Sequence, residues 1–204
     1  MTWISVQAAE VVAVNGSLKV QRGFSTFAMQ AGVQLVEGDE ANSSRGAEAV
    51  IRFDDGAQMA LRSDSLVQFK SLQADSSRAG QRLTLRIVKG GLRYISGKAT
   101  VREKVLFQTS TGEIGIRGTD IEIVVTEESR QEEPNGTYLK VNNGAATLKS
   151  VDGSVVEVDP GEVAFGGEPE LVPRGAGGMR RPAARKVKAP VGVFQPGMLD
   201  KFMQ

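Results

Sequence analysis

Ala49-Val50-Ile51-Arg52-Phe53-Asp54-Asp55-Gly56-Ala57-Gln58-Met59-Ala60-Leu61 reads as strand, turn, strand. The run into the turn is apolar at Ala49, Val50, Ile51 and Phe53, which suits a pleated and half-buried surface. Asp55-Gly56 then offers the left-handed backbone that a two-residue hairpin turn needs at its central positions. The apolar run resumes at Met59. The same punctuation recurs at Asn15-Gly16, Asn135-Gly136, Asn143-Gly144 and Asp152-Gly153, so the spacing predicts five tight hairpin turns.

Further strands follow on both sides of this hairpin. Val11 to Val14 and Leu18 to Gln21 flank Asn15-Gly16, and Leu66, Phe69 and Leu72 lie in another extended run. Leu83-Thr84-Leu85-Arg86-Ile87 alternates with period two, the period of side chains along a strand. Leu92–Ile95, Val105–Thr109, Ile121–Val125, Tyr138–Val141 and Val155–Val158 continue the pattern. No window of a dozen residues in 1–165 carries a 3.6-residue period. Two polar stretches, 73–81 and 127–135, interrupt the strands; the second, mostly charged with one proline, reads as an exposed loop. The expectation is an all-β fold, a twisted β-solenoid or β-roll of short strands, with every strand inside 1–165.

Composition narrows the chemistry. The 204 residues include no cysteine and no histidine, which removes thiolate and imidazole metal sites, cysteine nucleophiles and Ser-His-Asp catalysis. Twenty-five Lys and Arg against 24 Asp and Glu leave +1, so the chain as a whole makes no electrostatic case for nucleic acid. No apolar stretch approaches the roughly 18 residues of a membrane-spanning helix. Residues 1–9 end Gln7-Ala8-Ala9 and are expected to be an N-terminal extension or a signal-peptide remnant.

Beyond residue 165 the character changes. Residues 166–204 hold five of the seven prolines, and seven basic side chains against three acidic ones give +4. The run from Arg174 to Lys188 contains no aromatic residue on which bases could stack, so nucleic acid is not the expected partner. The segment reads as a basic Pro/Gly-rich tail and a candidate docking peptide. Its charge would come from Arg180, Arg181, Arg185, Lys186 and Lys188, and its apolar anchors from Phe194, Met198, Leu199 and Phe202.

A longer signature spans the β region. Leu35-Val36-Glu37-Gly38-Asp39 precedes Ile51-Arg52-Phe53-Asp54-Asp55-Gly56, then come Gly90-Gly91-Leu92-Arg93 and Glu113-Ile114-Gly115-Ile116-Arg117-Gly118-Thr119-Asp120-Ile121, with Pro160-Gly161-Glu162 last. This order resembles the FecR-type domain over residues 10–165, most specifically at Ile116-Arg117-Gly118-Thr119. The resemblance implies a periplasmic all-β module similar to a twisted β-solenoid, of the kind that relays receptor occupancy to an anti-sigma segment. The sequence looks like that β-module without the anti-sigma, transmembrane and C-terminal signalling-lobe parts.

Two readings of the motif stay open. In one, Gly115, Arg117, Gly118, Thr119 and Asp120 form a recognition element, with the guanidinium gripping carboxylates or carbonyls. In the other, the glycines allow a tight corner and Arg117 satisfies carbonyls there. Asp54, Asp55, Asp152 and Asp159 are candidate acids, but their places beside turn residues account for them without a metal or a reaction. No cofactor is expected. The expected role is non-enzymatic protein recognition in the bacterial envelope, with envelope proteins as partners and glycan or peptidoglycan contact left open. A carboxylate-dependent glycan-acting enzyme and a self-associating structural domain are the alternatives.

Overall fold

The computed structural model describes residues 9–73, 82–97, 104–127, 134–167 and 183–203. The fifteen strands in them are β1 (Ala9–Asn15), β2 (Leu18–Arg22), β3 (Ser25–Ala28), β4 (Gln34–Leu35), β5 (Glu40–Ser43), β6 (Glu48–Phe53), β7 (Gln58–Leu61) and β8 (Leu66–Gln73). They continue with β9 (Arg82–Ile95), β10 (Lys104–Gln108), β11 (Gly112–Thr126), β12 (Gly136–Ser150), β13 (Val155–Val158), β14 (Val163–Gly166) and β15 (Ala184–Val187). The fold is essentially all-β, and the only helical turn among the described residues is 3₁₀, at Asp200–Phe202. No helix there is long and apolar enough to cross a membrane.

Three long strands organise the sheet by changing partners halfway. The first half of β9 pairs with β8 and, in parallel, with β10; its second half pairs with β7 and β11. β11 pairs with β10 at one end and β9 at the other, and β12 runs beside β11 for its whole length while taking β14 and then β13 on its far side. The other strands extend these halves into two layers. One runs β4-β1-β6-β7-β9-β11-β12-β14-β15, and the second runs β3-β2-β5-β8-β9-β10-β11-β12-β13. Every pairing except β9–β10 is antiparallel.

A single large core joins the layers. Leu83, Leu85 and Ile87 from one half of β9 bury with Leu92 and Tyr94 from the other. Tyr94 packs edge-on against Phe107 at 5.2 Å and lies 6.0 Å from Phe53, so aromatic contacts cross from layer to layer.

The Asx-Gly pairs do not all make hairpins. Asp55-Gly56 joins β6 to β7 and Asp152-Gly153 joins β12 to β13 in hairpins, as expected, but through four-residue connections in which only the glycine has positive φ. Asn15-Gly16 instead carries the chain from one layer to the other, since β1 and β2 do not pair. Asn143-Gly144 sits inside β12, and Asn135-Gly136 lies at the start of β12. Gly16, Gly56, Gly144 and Gly153 all have φ between +80° and +83°. A layer-changing corner and a hairpin ask the same of the backbone, which is why the dipeptide alone does not separate them.

The polar stretches 73–81 and 127–135 fall mostly outside the described residues, as do Met1 to Ala8. The expectation of no strand beyond 165 is corrected by β15, which pairs with β14 from Gly166↔Ala184 to Val163↔Val187. Ala184 is buried there and Arg185 stacks on Phe165 at 4.9 Å.

Candidate functional site

The Gly115–Asp120 motif lies where β11 bends. Its register with β12 shifts between Arg117↔Ala145 and Asp120↔Asn143, leaving Gly118 and Thr119 as the extra residues of a bulge. Gly118 has φ +58°, and a Cβ there would meet nothing within 4 Å. Its neighbour across the bend is more constrained: a Cβ on Gly144 would overlap the Gly118 carbonyl oxygen. Thr119 is buried and is held through its backbone, donating its N–H to Ser96 Oγ at 3.0 Å while its carbonyl accepts the Ser96 N–H at 2.8 Å.

Arg117 does not play the part the corner reading gave it. Its side chain is exposed and, among the described residues, it makes no hydrogen bond or ion pair. The bulge itself lets Ser96 satisfy the local backbone groups, so no guanidinium is required. Asp120 faces the other way. It accepts hydrogen bonds from Arg93 Nε at 2.9 Å and Nη2 at 2.7 Å, and from Asn142 at 3.3 Å. Burial pushes its carboxyl up, but the Arg93 and Asn142 donors outweigh that and hold it below the ordinary carboxylate value.

Arg117 stands beside a groove of about 800 Å³. The groove floor follows from the register. Thr84, Leu106, Gly115, Thr147 and Glu157 are successive partners across β9, β10, β11, β12 and β13, so their positions share one face of the sheet. Gly115 has no side chain, and a Cβ there would find open space; Ala145, opposite Arg117, is nearly as small. The middle of the row is therefore low, and Arg117 on one side faces Glu157 and Asp159 on the other. Both acids are exposed.

The opposite layer carries a second charged cluster, which the sequence reading missed. Arg62, just beyond β7, and Arg93 in β9 come together with Glu48, Asp120 and Glu122. Glu122 accepts from Lys140 Nζ at 2.9 Å and from Asn142 at 3.2 Å. Asp200, from the tail, reaches across to this cluster and accepts from Arg62 at 2.7 and 3.1 Å. Burial raises the Asp200 carboxyl, but Arg62 and the Gly197 N–H more than offset it and hold the group low. The signal was faint: one aspartate in a basic tail, and two arginines thirty-one residues apart, one in β9 and one just past β7.

The tail residues divide. Leu199 is buried, as is Met203, both against Val50 and Ala60. Met198 and Phe202 point to solvent, and Phe194 lies half-buried with Lys140 Nζ 5.7 Å from its ring centre. Lys186 is ion-paired to Glu162 and lies 4.0 Å from Asp159, Arg185 stacks on Phe165, and Lys188 is exposed. Arg180 and Arg181 lie outside the described residues.

The turn acids are occupied as expected. Asp55 accepts the Ala57 N–H at 2.9 Å and Asp152 accepts that of Ser154 at 2.9 Å. Asp39, fully buried, is gripped by Arg22 Nε and Nη2, each at 2.8 Å. Among the described residues no group of three or more acids is placed to hold a metal ion.

Comparison with known proteins agrees with this geometry. Residues 39–147, more than half of the chain, match the family described as FecR protein. The chain belongs to the FecR family. The matched span begins at the buried Asp39, contains the β11 bend and ends in the second half of β12. Two crystal structures of a candidate anti-sigma factor from Parabacteroides distasonis ATCC 8503, at 1.65 and 2.50 Å, resemble the fold. Each superposes with a TM-score of 0.50 at 11% identity, over 72% of this chain and 59% of that one. The FecR chain thus aligns with under two thirds of that protein's length. No curated protein matches it.

Proposed function

We propose that this FecR-family protein is a non-enzymatic recognition module in a bacterial envelope signalling system. Its domain would span residues 10–165, wound as a twisted β-roll between two layers and exposed to the periplasm, with 166–204 appended. The contact surface is the groove beside Arg117. One observation carries this reading: a charged residue of the family's most specific motif stands exposed and unanswered on the wall of a large groove. Structural arginines in this chain look different, as the Arg22–Asp39 and Arg93–Asp120 pairs illustrate.

The small side chains of Gly115, Ala145 and Thr147 would admit an extended protein segment, and Arg117 would take a carboxylate or backbone carbonyl from it. Glu157 and Asp159 would meet basic groups on the far side. A glycan-cleaving pair should flank the scissile bond, whereas these two acids project from one strand end. The relay role of the family and the anti-sigma description of the structural neighbour support a regulatory rather than catalytic reading.

A photo-crosslinking residue at Ala145, in the intact chain in its native cells, tests the site. Partner adducts are expected there and not at Ser44, on another part of the surface, and Arg117→Ala should reduce them. Equal adducts at both positions, or none at Ala145, would sink the groove. An alkaline phosphatase fusion checks the compartment, since activity is expected only if the module is exported.

A further inference from the structure

The end of the chain is bound as a short linear motif. Asp200 takes two hydrogen bonds from Arg62, and Arg93 Nη1 lies 3.8 Å from the same carboxylate. The Gly197 N–H donates back to Asp200 Oδ2 at 2.8 Å, which closes a turn around the acid. Glu48 Oε2 accepts the Leu199 N–H at 3.1 Å. Leu199 and Met203 then bury on a shelf made by Val50 and Ala60. Gly197 lies so close to Arg62 that a Cβ would overlap Nη1.

Everything this arrangement reads is contained in Gly197-Met198-Leu199-Asp200-Lys201-Phe202-Met203. Glycine is required for close approach, an apolar residue and an acid follow it, and a second apolar residue lies three positions after the acid. The reading side, Glu48, Val50, Ala60, Arg62 and Arg93, lies wholly within the family-matched span, while the occupant lies outside it. The fit between them is also incomplete. A cavity of about 240 Å³ remains between Val193–Pro196 and the strands, with Arg62, Glu48 and Glu122 on its walls.

We infer that this face of the β6–β7–β9–β11 layer is a recognition site for a Gly-x-apolar-Asp turn of a partner protein, and that the chain's own C-terminus occupies it as an internal competitor. The chemistry selects the partner. Two convergent guanidiniums favour a carboxylate with bidentate geometry, Glu48 demands a free backbone N–H after the glycine, and the shelf rewards a buried aliphatic residue. The tethered segment is present at high effective concentration, so a partner gains access only by matching or displacing it.

The probe is a fluorescent peptide of residues 190–204, added to the intact protein. The filled wild-type site should take it weakly. Asp200→Lys in the full chain, which sets a cation against Arg62 and Arg93, should release the segment and tighten peptide binding at least tenfold. The same peptide with its Asp replaced by Asn should bind the opened chain at least tenfold less well, since hydrogen bonds between charged groups are worth that much. Gly197→Ala in the full chain, which keeps Asp200 but overlaps Arg62, should open the site too and serves if the lysine variant does not fold. Peptide binding no tighter to either opened variant than to wild type, or unaffected by the Asn change, overturns the proposal. So does dimerisation of the opened chains in light scattering without peptide uptake, because the occupant would then be a second copy.

Discussion

Around Arg117 the middle of the sheet face is low, with Gly115, Ala145 and Thr147 in it, and the arginine is exposed with no ion pair among the described residues. Around Arg62 and Arg93, on the other layer, both guanidiniums are held by carboxylates and a turn of the tail covers them. The two places use the same residue type to opposite ends. A half-buried charge is costly unless it is paired, so the Arg62 cluster had to be completed from within the chain. An exposed arginine carries no such demand and stays free for an outside group. Pairing, more than residue type, separates the arginines that hold this fold together from exposed ones such as Arg117.

The largest expected effects fall on the bend that the two layers share. Gly144→Ala forces a positive φ and an overlap with the Gly118 carbonyl, so urea unfolding should show a loss of about 3 kcal/mol or more. Both faces should fail together in that variant; a groove that still binds in it would show the layers to be independent. Next comes Arg62→Ala, which removes the two guanidinium hydrogen bonds to Asp200 and should cost about 2 kcal/mol. Gly118→Ala has the same backbone strain as Gly144→Ala without the overlap, and about 1–2 kcal/mol is expected.

A pH series sharpens the contrast. Asp120 and Asp200 titrate lower in the folded chain than in the unfolded one, so their contribution is complete above the unfolded carboxylate value and is lost as pH falls towards the depressed folded ones. The gap in urea midpoint between wild type and Asp200→Asn should therefore be widest near neutrality and shrink as pH drops below about 4. A gap constant with pH would mean the carboxylate charge is not what holds the tail. The smallest effect belongs to Arg117→Ala. Stability should change by no more than about 0.5 kcal/mol, while crosslinking at Ala145 falls. A clear drop in stability would return Arg117 to a structural role.

Much of this was legible in the chain. Alternation in Leu83–Ile87 and Ile121–Val125 located strands because one face of each is buried, and the Gly115–Thr119 motif located the bend because few residues but glycine adopt its backbone. Local chemistry sufficed for both. Other features depended on pairings between distant residues. Asn143-Gly144 looks like a hairpin turn, and only its position opposite Gly118 makes it a corner. Met198 and Leu199 are neighbours of similar hydrophobicity, yet one is exposed and one buried, because the turn closed by Asp200 and Gly197 decides which faces the Val50 shelf. The tail's +4 charge marks it as a basic segment, whereas its single aspartate in the last turn binds two arginines more than a hundred residues earlier. Net charge is a sum over a segment, but an ion pair depends on distance, and distance is set only when the sheet has formed.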